Sequence, residues 1–116
     1  MLVEGDNFMN QNEPIIDQIV SIIVSTVDPD QIMLFGSYAR GDFTEKSDVD
    51  VLILKKGMIK KRELIKKLHR AFFDFKLDKA VDVLALDSDR YDEIKNCLGF
   101  IYKTIKEEGK LIYDRL

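Results

Sequence analysis

Residues 35–53, FGSYARGDFTEKSDVDVLI, decide how the rest of this sequence is read. Just before them, Gln31-Ile32-Met33-Leu34-Phe35 is an apolar run of strand length, entered after the breakers Asp28, Pro29 and Asp30 and closed by Gly36 and Ser37. A polar stretch with Gly41 inside it runs to Ser47. From Asp48 to Leu54 the chain reads as a second strand, apolar on both faces beyond Asp50.

Working outward, Pro14 suits the first turn of a helix, with Asn12 as its cap, and Ile15, Ile16, Ile19, Val20, Ile22, Ile23 and Val27 give that helix more than one apolar stripe. Residues 1–12 have no periodicity and read as a loose lead-in. Downstream, Lys55 to Gly57 turn the chain. Leu64, Ile65, Leu68, Phe72 and Phe75 then recur at helical spacing, opposite Lys60, Lys61, Arg62, Lys66, Lys67 and Arg70. Phe72, Phe73 and Phe75 together are more than one helix face needs; core is the first expectation and an interface the second. Ala80 to Leu86 forms a third strand. Ser88 or Asp89 caps a last helix carrying Tyr91, Ile94, Leu98, Ile101 and Ile105 on one side, and Gly109 stops it. Whether residues 110–116 add a strand or dock as a tail is undecided. The pattern is that of a small α/β (α+β) domain, a mixed β-sheet packed with helices, with 1–116 as a single unit.

The chain has 116 residues, enough to bury roughly 65% of its extended-chain surface in one core but not to build a second lobe. A large substrate is therefore met on an outer surface or brought by another chain. The net charge of −3 excludes a general nucleic-acid coat. No apolar run approaches the ~20 residues of a membrane span, and the acidic, polar N-terminus is unlike a signal peptide. The expectation is a cytoplasmic protein with no membrane association and no direct nucleic-acid contact. Cys97 is the single cysteine, which leaves no internal disulfide or cysteine cluster; it and His69 read as ordinary packing and surface positions.

Three features carry chemistry. A strand ending in Gly36-Ser37 exposes backbone N–H groups that, with the Ser37 hydroxyl, can hold phosphate oxygens, although Gly-Ser alone is a common strand ending. Asp48 and Asp50, two apart on a strand, point to one face with roughly 6–7 Å between α-carbons. Like charges at the head of a buried strand are costly unless a cation balances them, and oxygen ligands of this kind suit Mg²⁺ or Mn²⁺; an isolated Asp-x-Asp equally suits a solvated turn. Asp82 interrupts the apolar run Ala80 to Leu86 and needs a partner. If its strand lies beside that of Asp50, three carboxylates converge in a manner suited to two divalent ions roughly 3.5–4 Å apart; a lysine salt bridge or a strand end facing water explains it as well.

The pattern Gly36-Ser37, ten intervening residues, then Asp48-Val49-Asp50, with Asp82 downstream, resembles the signature of the polymerase-beta-like nucleotidyltransferase superfamily. Within it, GSYARGDFTEKSDVDVLI most resembles the minimal nucleotidyltransferases, small proteins often encoded as antitoxins beside a HEPN-domain partner. The resemblance implies a polymerase-beta palm-like fold. It also implies triphosphate contacts from Gly36 and Ser37, two metal ions (Mg²⁺, with Mn²⁺ an option) on Asp48 and Asp50, and Asp82 on the acceptor side. The reaction implied is transfer of a nucleoside monophosphate, AMP from ATP, to a hydroxyl, that of a tyrosine on a HEPN-type toxin, with a hetero-oligomer as the assembly. Arg40 either steadies a phosphate oxygen or pairs with Asp42, Glu45 or Asp48. Ser47 orders the turn before Asp48, and Tyr38 packs against the loop or against a nucleotide base. Two other functions fit the same residues: a small-molecule nucleotidyltransferase completed by a separate substrate-binding subunit, and a binding-only antitoxin with an idle nucleotide site.

Overall fold

A computed structural model of the chain describes residues 14–97 and 101–115. They run α1 (Pro14–Val27), β1 (Gln31–Phe35), α2 (Ser37–Arg40), β2 (Val49–Leu54), α3 (Lys61–Asp74), β3 (Val81–Leu86), α4 (Ser88–Ile94), α5 (Ile101–Glu108) and β4 (Lys110–Asp114). The four strands form one mixed sheet in the order β3-β2-β1-β4. β1 pairs antiparallel with β2 and β4, whereas β2 and β3, joined through α3, are parallel.

Alternation along β2 divides the protein into two layers. Val49, Val51 and Ile53 face a core that takes Ile16, Ile19, Val20, Ile22 and Ile23 from α1 with Leu68 and Phe72 from α3. Leu52 and Leu54 face the other way, into a smaller cluster with Tyr91 of α4 and Ile105 of α5. β2 is thus covered on both sides from Val51 onward, which is why that run is uniformly apolar. The β-branched residues of α1 are poor intrinsic helix formers, so burial against the sheet holds that helix. It ends where Asp28 turns to φ +49° ahead of Pro29.

The first strand lies where the sequence puts it, and the second and third begin one residue late, at Val49 and Val81, leaving Asp48 just outside the sheet. Four expectations need correction. The last helix is two pieces, because Cys97 N–H donates to Ile94 O in a tighter i→i−3 turn that ends the first of them. Its cap is Asp87, whose carboxylate accepts from the N–H groups of Asp89 and Arg90, rather than Ser88 or Asp89. Phe73 lies about 100° round the helix from buried Phe72 and is 80% exposed. Phe75 follows the helix end, where Lys76 reverses the chain at φ +53°, and is 61% exposed. Residues 110–114 form β4, an edge strand on β1. Gly109 precedes it, and a Cβ there would lie 2.3 Å from Ile105 O and 3.2 Å from Leu34 O, so only glycine lets the helix end and the strand start come this close. Asn12, the lead-in at 1–12 and Leu98 fall outside the described residues.

Asp30 ties the sheet ends together. Its carboxylate accepts from Lys56 N–H at 2.7 Å and from the Arg115 guanidinium, and its backbone bonds Leu54 and Arg115. These bonds, the Lys56 amide first, hold the Asp30 carboxyl below its ordinary range against the opposing effect of burial. Asp30→Ala should therefore cost about 2 kcal/mol in urea denaturation at pH 7, consistent with loss of charge-assisted hydrogen bonds. Because the carboxyl is depressed in the folded state only, that difference should shrink as the pH falls below about 4.

Candidate active site

β1 and β2 together deliver Gly36 and Asp50 to the same point. Phe35 is the register partner of Asp50, and the backbone at Gly36 then turns with φ +71° and ψ −155° into the single turn of α2. A Cβ at Gly36 would lie 2.2 Å from Asp50 Oδ2. Glycine is needed twice here, for a conformation side chains rarely adopt and for the space the carboxylate occupies.

On the other side of β2, Asp50 pairs in register with Asp82 of β3, and residues at one register on adjacent strands project from the same face. That is the face of Leu52 and Leu54, on which Tyr91 of α4 and Ile105 of α5 pack. Asp50 is half-buried, and Asp82 and Asp48 are exposed. Burial pushes the Asp50 carboxyl up to about 6, helped by a hydrogen bond with Asp82 and by the charges of Asp82 and Asp48, with Arg40 pulling the other way. The structure thus brings Asp50 and Asp82 into contact and sets Asp48, just before the strand, near enough to act through space. Among the described residues no three acidic, histidine or cysteine side chains form a closed metal-ligating cluster. The arrangement is a carboxyl pair with a third arm. Its donors fit a hard divalent cation: they are carboxylate oxygens, and both the burial that raises Asp50 and the repulsion that adds to it disfavour a bare negative charge, which a cation between them would offset.

The connecting loop is ordered by its own side chains. Ser47 Oγ accepts from Thr44 N–H at 2.8 Å and Ser47 N–H returns to Thr44 O at 3.0 Å, the turn-ordering expected of it. Tyr38 is buried and stacks on Phe43 with centroids 4.1 Å apart, so it packs against the loop. Lys79 lies over the Tyr38 ring and donates to Glu45 O at 2.6 Å; nothing in the sequence marked Lys79, because its partners are far off in the chain. Arg40 is exposed and pairs with Asp42 at 3.2 Å and with Glu108 of α5 at 3.7 Å. Ser37 begins α2 beside the Gly36–Asp50 contact, half-buried. His69 is exposed on α3 against the edge of Phe72, and Cys97 is partly buried.

Two outcomes follow from this geometry. Gly36→Ala should lower the melting temperature and disrupt the Asp50 position, a loss seen by thermal denaturation and by loss of activity together. Because the folded state holds the Asp50 proton between the ordinary value near 3.8 and about 6, the stability it contributes should decline as the pH rises through that window. Asp50→Asn should be free of that decline, so the melting temperatures of the two proteins should diverge in favour of the variant between about pH 4 and pH 6 and stay apart above it.

Residues 17–116 match the family model described as Polymerase beta, Nucleotidyltransferase. In Methanocaldococcus jannaschii, "Putative protein adenylyltransferase MJ0141" is 39% identical over 72 residues, which is 58% of this chain and 73% of that one. From the same organism, "Putative protein adenylyltransferase MJ1305" is 33% identical over 85 residues, 72% of this chain and 58% of its own length. Among solved structures, a chain from Sulfolobus solfataricus described as a "putative nucleotidyltransferase" superposes with a TM-score of 0.54 at 22% identity, covering 94% of this chain and 82% of that chain. A toxin-antitoxin solved with AMP-PNP superposes at 0.57 with 24% identity, covering 84% of this chain and 72% of that chain. At those identities the solved structures speak for the fold, and the sequence matches speak for the family. With that family's model matched from the first helix to the last strand, the chain belongs to the polymerase beta nucleotidyltransferases and is a nucleotidyltransferase.

Proposed function

We propose that this nucleotidyltransferase works as a single domain in the cytoplasm, moving AMP from ATP to the hydroxyl of a tyrosine on a HEPN-type ribonuclease toxin, and so serves as its antitoxin. The observation that carries this is the Asp50–Asp82 pair at one register with the Gly36 backbone pressed against it. In this proposal Asp48, Asp50 and Asp82 hold two Mg²⁺ ions, or Mn²⁺, and Gly36, Ser37 and Arg40 hold the triphosphate. When bound, such ions lower the pKa of an acceptor hydroxyl and offset charge on a leaving pyrophosphate. A bond forms from the acceptor oxygen to the α-phosphorus, the bond from that phosphorus to the β-bridging oxygen breaks, pyrophosphate leaves, and Asp82 takes the hydroxyl proton.

The relatives named as protein adenylyltransferases support a protein acceptor and an adenylyl group. The toxin-antitoxin with AMP-PNP supports an adenine nucleotide and a partner chain. The exposure of Asp48 and Asp82 favours a large acceptor brought from outside. Among the described residues no helix is long and apolar enough to cross a membrane.

Incubating the protein with Mg²⁺, ATP labelled at the α-phosphate and the product of the adjacent reading frame should label that product on tyrosine. Asp48→Asn combined with Asp50→Asn should reduce labelling by at least about 10³-fold. Label on a small molecule instead would replace the protein acceptor, and neutralisation of the partner unchanged by the double variant would leave binding alone as the function. Added Mg²⁺ or Mn²⁺ should also raise the melting temperature of the wild type above pH 6 and leave that of the double variant unchanged.

A further inference from the structure

One pattern in the sequence is not used by the candidate site. Residues 55–70 hold eight basic side chains and one acidic one, so the rest of the chain carries −10. On α3, Arg62, Lys66 and Arg70 are spaced four apart and form one exposed ridge, continued by Phe73 at 80% exposure. From the helical rise the ridge is about 16 Å long. Leu68 and Phe72 point away from it, into the core.

This ridge works against the helix that carries it. Like charges four apart on a helix repel, and Lys61 and Arg62 stand at the end of the helix where the dipole is positive. Among the described residues Arg70 has one acidic neighbour, Asp74 at 3.5 Å, while Arg62 and Lys66 have no ion pair. Solubility asks for charges of mixed sign, and it does not ask for an exposed phenylalanine. The position of the ridge is also telling. Leu68 and Phe72 share a core cluster with Val51 and Ile53, and Asp50 alternates with those residues along β2. A partner helix on α3 therefore sits behind the sheet, and the tyrosine that reaches the carboxylates is carried on another part of the same partner.

We propose that this ridge is the docking surface for a protein partner, a helix presenting acidic side chains at matching spacing to Arg62, Lys66 and Arg70 and an apolar pocket to Phe73. This rests on the proposal that the enzyme acts on a partner protein. Charge complementarity sets the sign of the partner, and Phe73 supplies the apolar anchor that tight interfaces centre on. A nucleic acid would run past the ridge and meet the −10 carried by the remainder of the chain, so a short acidic helix is the better fit.

The test measures binding of the full-length protein to the product of the adjacent reading frame by calorimetry, in wild type and in variants with matching thermal melts. Arg62→Glu, Lys66→Glu and Arg70→Glu combined should weaken binding by about 100-fold or more, and Phe73→Ser by about 10-fold. Raising NaCl from about 50 to about 200 mM should weaken the wild type and not the triple variant. Asp48→Asn with Asp50→Asn should bind as wild type does. A triple variant that binds within twofold of wild type overturns the docking surface, as does a 20-nucleotide RNA that binds the wild type and displaces the partner. Binding by wild type without label transfer would leave the ridge standing and remove the transfer reaction; no binding by wild type would remove the partner and the ridge together.

Discussion

Parallel pairing of β2 with β3 in a single register, Asp50 opposite Asp82, underlies everything else at the site. A slip of one residue would turn Asp82 to the opposite face, into the layer built by α1 and α3, and send Val81 and Val83 toward the other helices. What prevents the slip is packing on both faces at once: Val81 and Val83 belong with the α1–α3 core, Leu84 and Leu86 with the α4–α5 cluster. Val49 N–H donates to Ala80 O at 3.0 Å and sets the start of the pairing. The apolar residues of β3 thereby decide where its carboxylate goes.

That carboxylate arrangement is costly to the fold. Asp50 is half-buried, crowded by Asp82 and Asp48, and pressed by a glycine in a conformation other residues rarely adopt. A protein selected for stability alone would place an asparagine or an apolar residue there. The cost is local, because the larger core lies behind the sheet and the sheet ends are clasped by Asp30 and Arg115.

Much of this was legible in the residue order. The breakers at 28–30, the apolar run at 31–35 and the Gly-Ser ending marked β1, and the pattern from Gly36 to Asp50 with Asp82 downstream pointed to the family. What periodicity does not show is pairing. That β3 lies parallel beside β2, that residues 110–114 complete the sheet, and that Arg40 meets Glu108 all depend on contacts between distant parts of the chain. The misread positions have local causes: Asp87 rather than Ser88 caps α4 because its carboxylate reaches two amides, and Phe73 sits one step round the helix from the residue that is buried.

The two layers are unequally filled, and this has a dynamic consequence. The cluster of Leu52, Leu54, Tyr91 and Ile105 is small, whereas the α1–α3 layer holds most of the buried side chains. Resistance to sub-global opening scales with buried apolar contacts, so the layer flanking the carboxylates can breathe while the other stays shut. Backbone amides of α4 and α5 should thus trade protons for deuterons well before those of α1, giving an enzyme that yields on its reactive side over a rigid back plate.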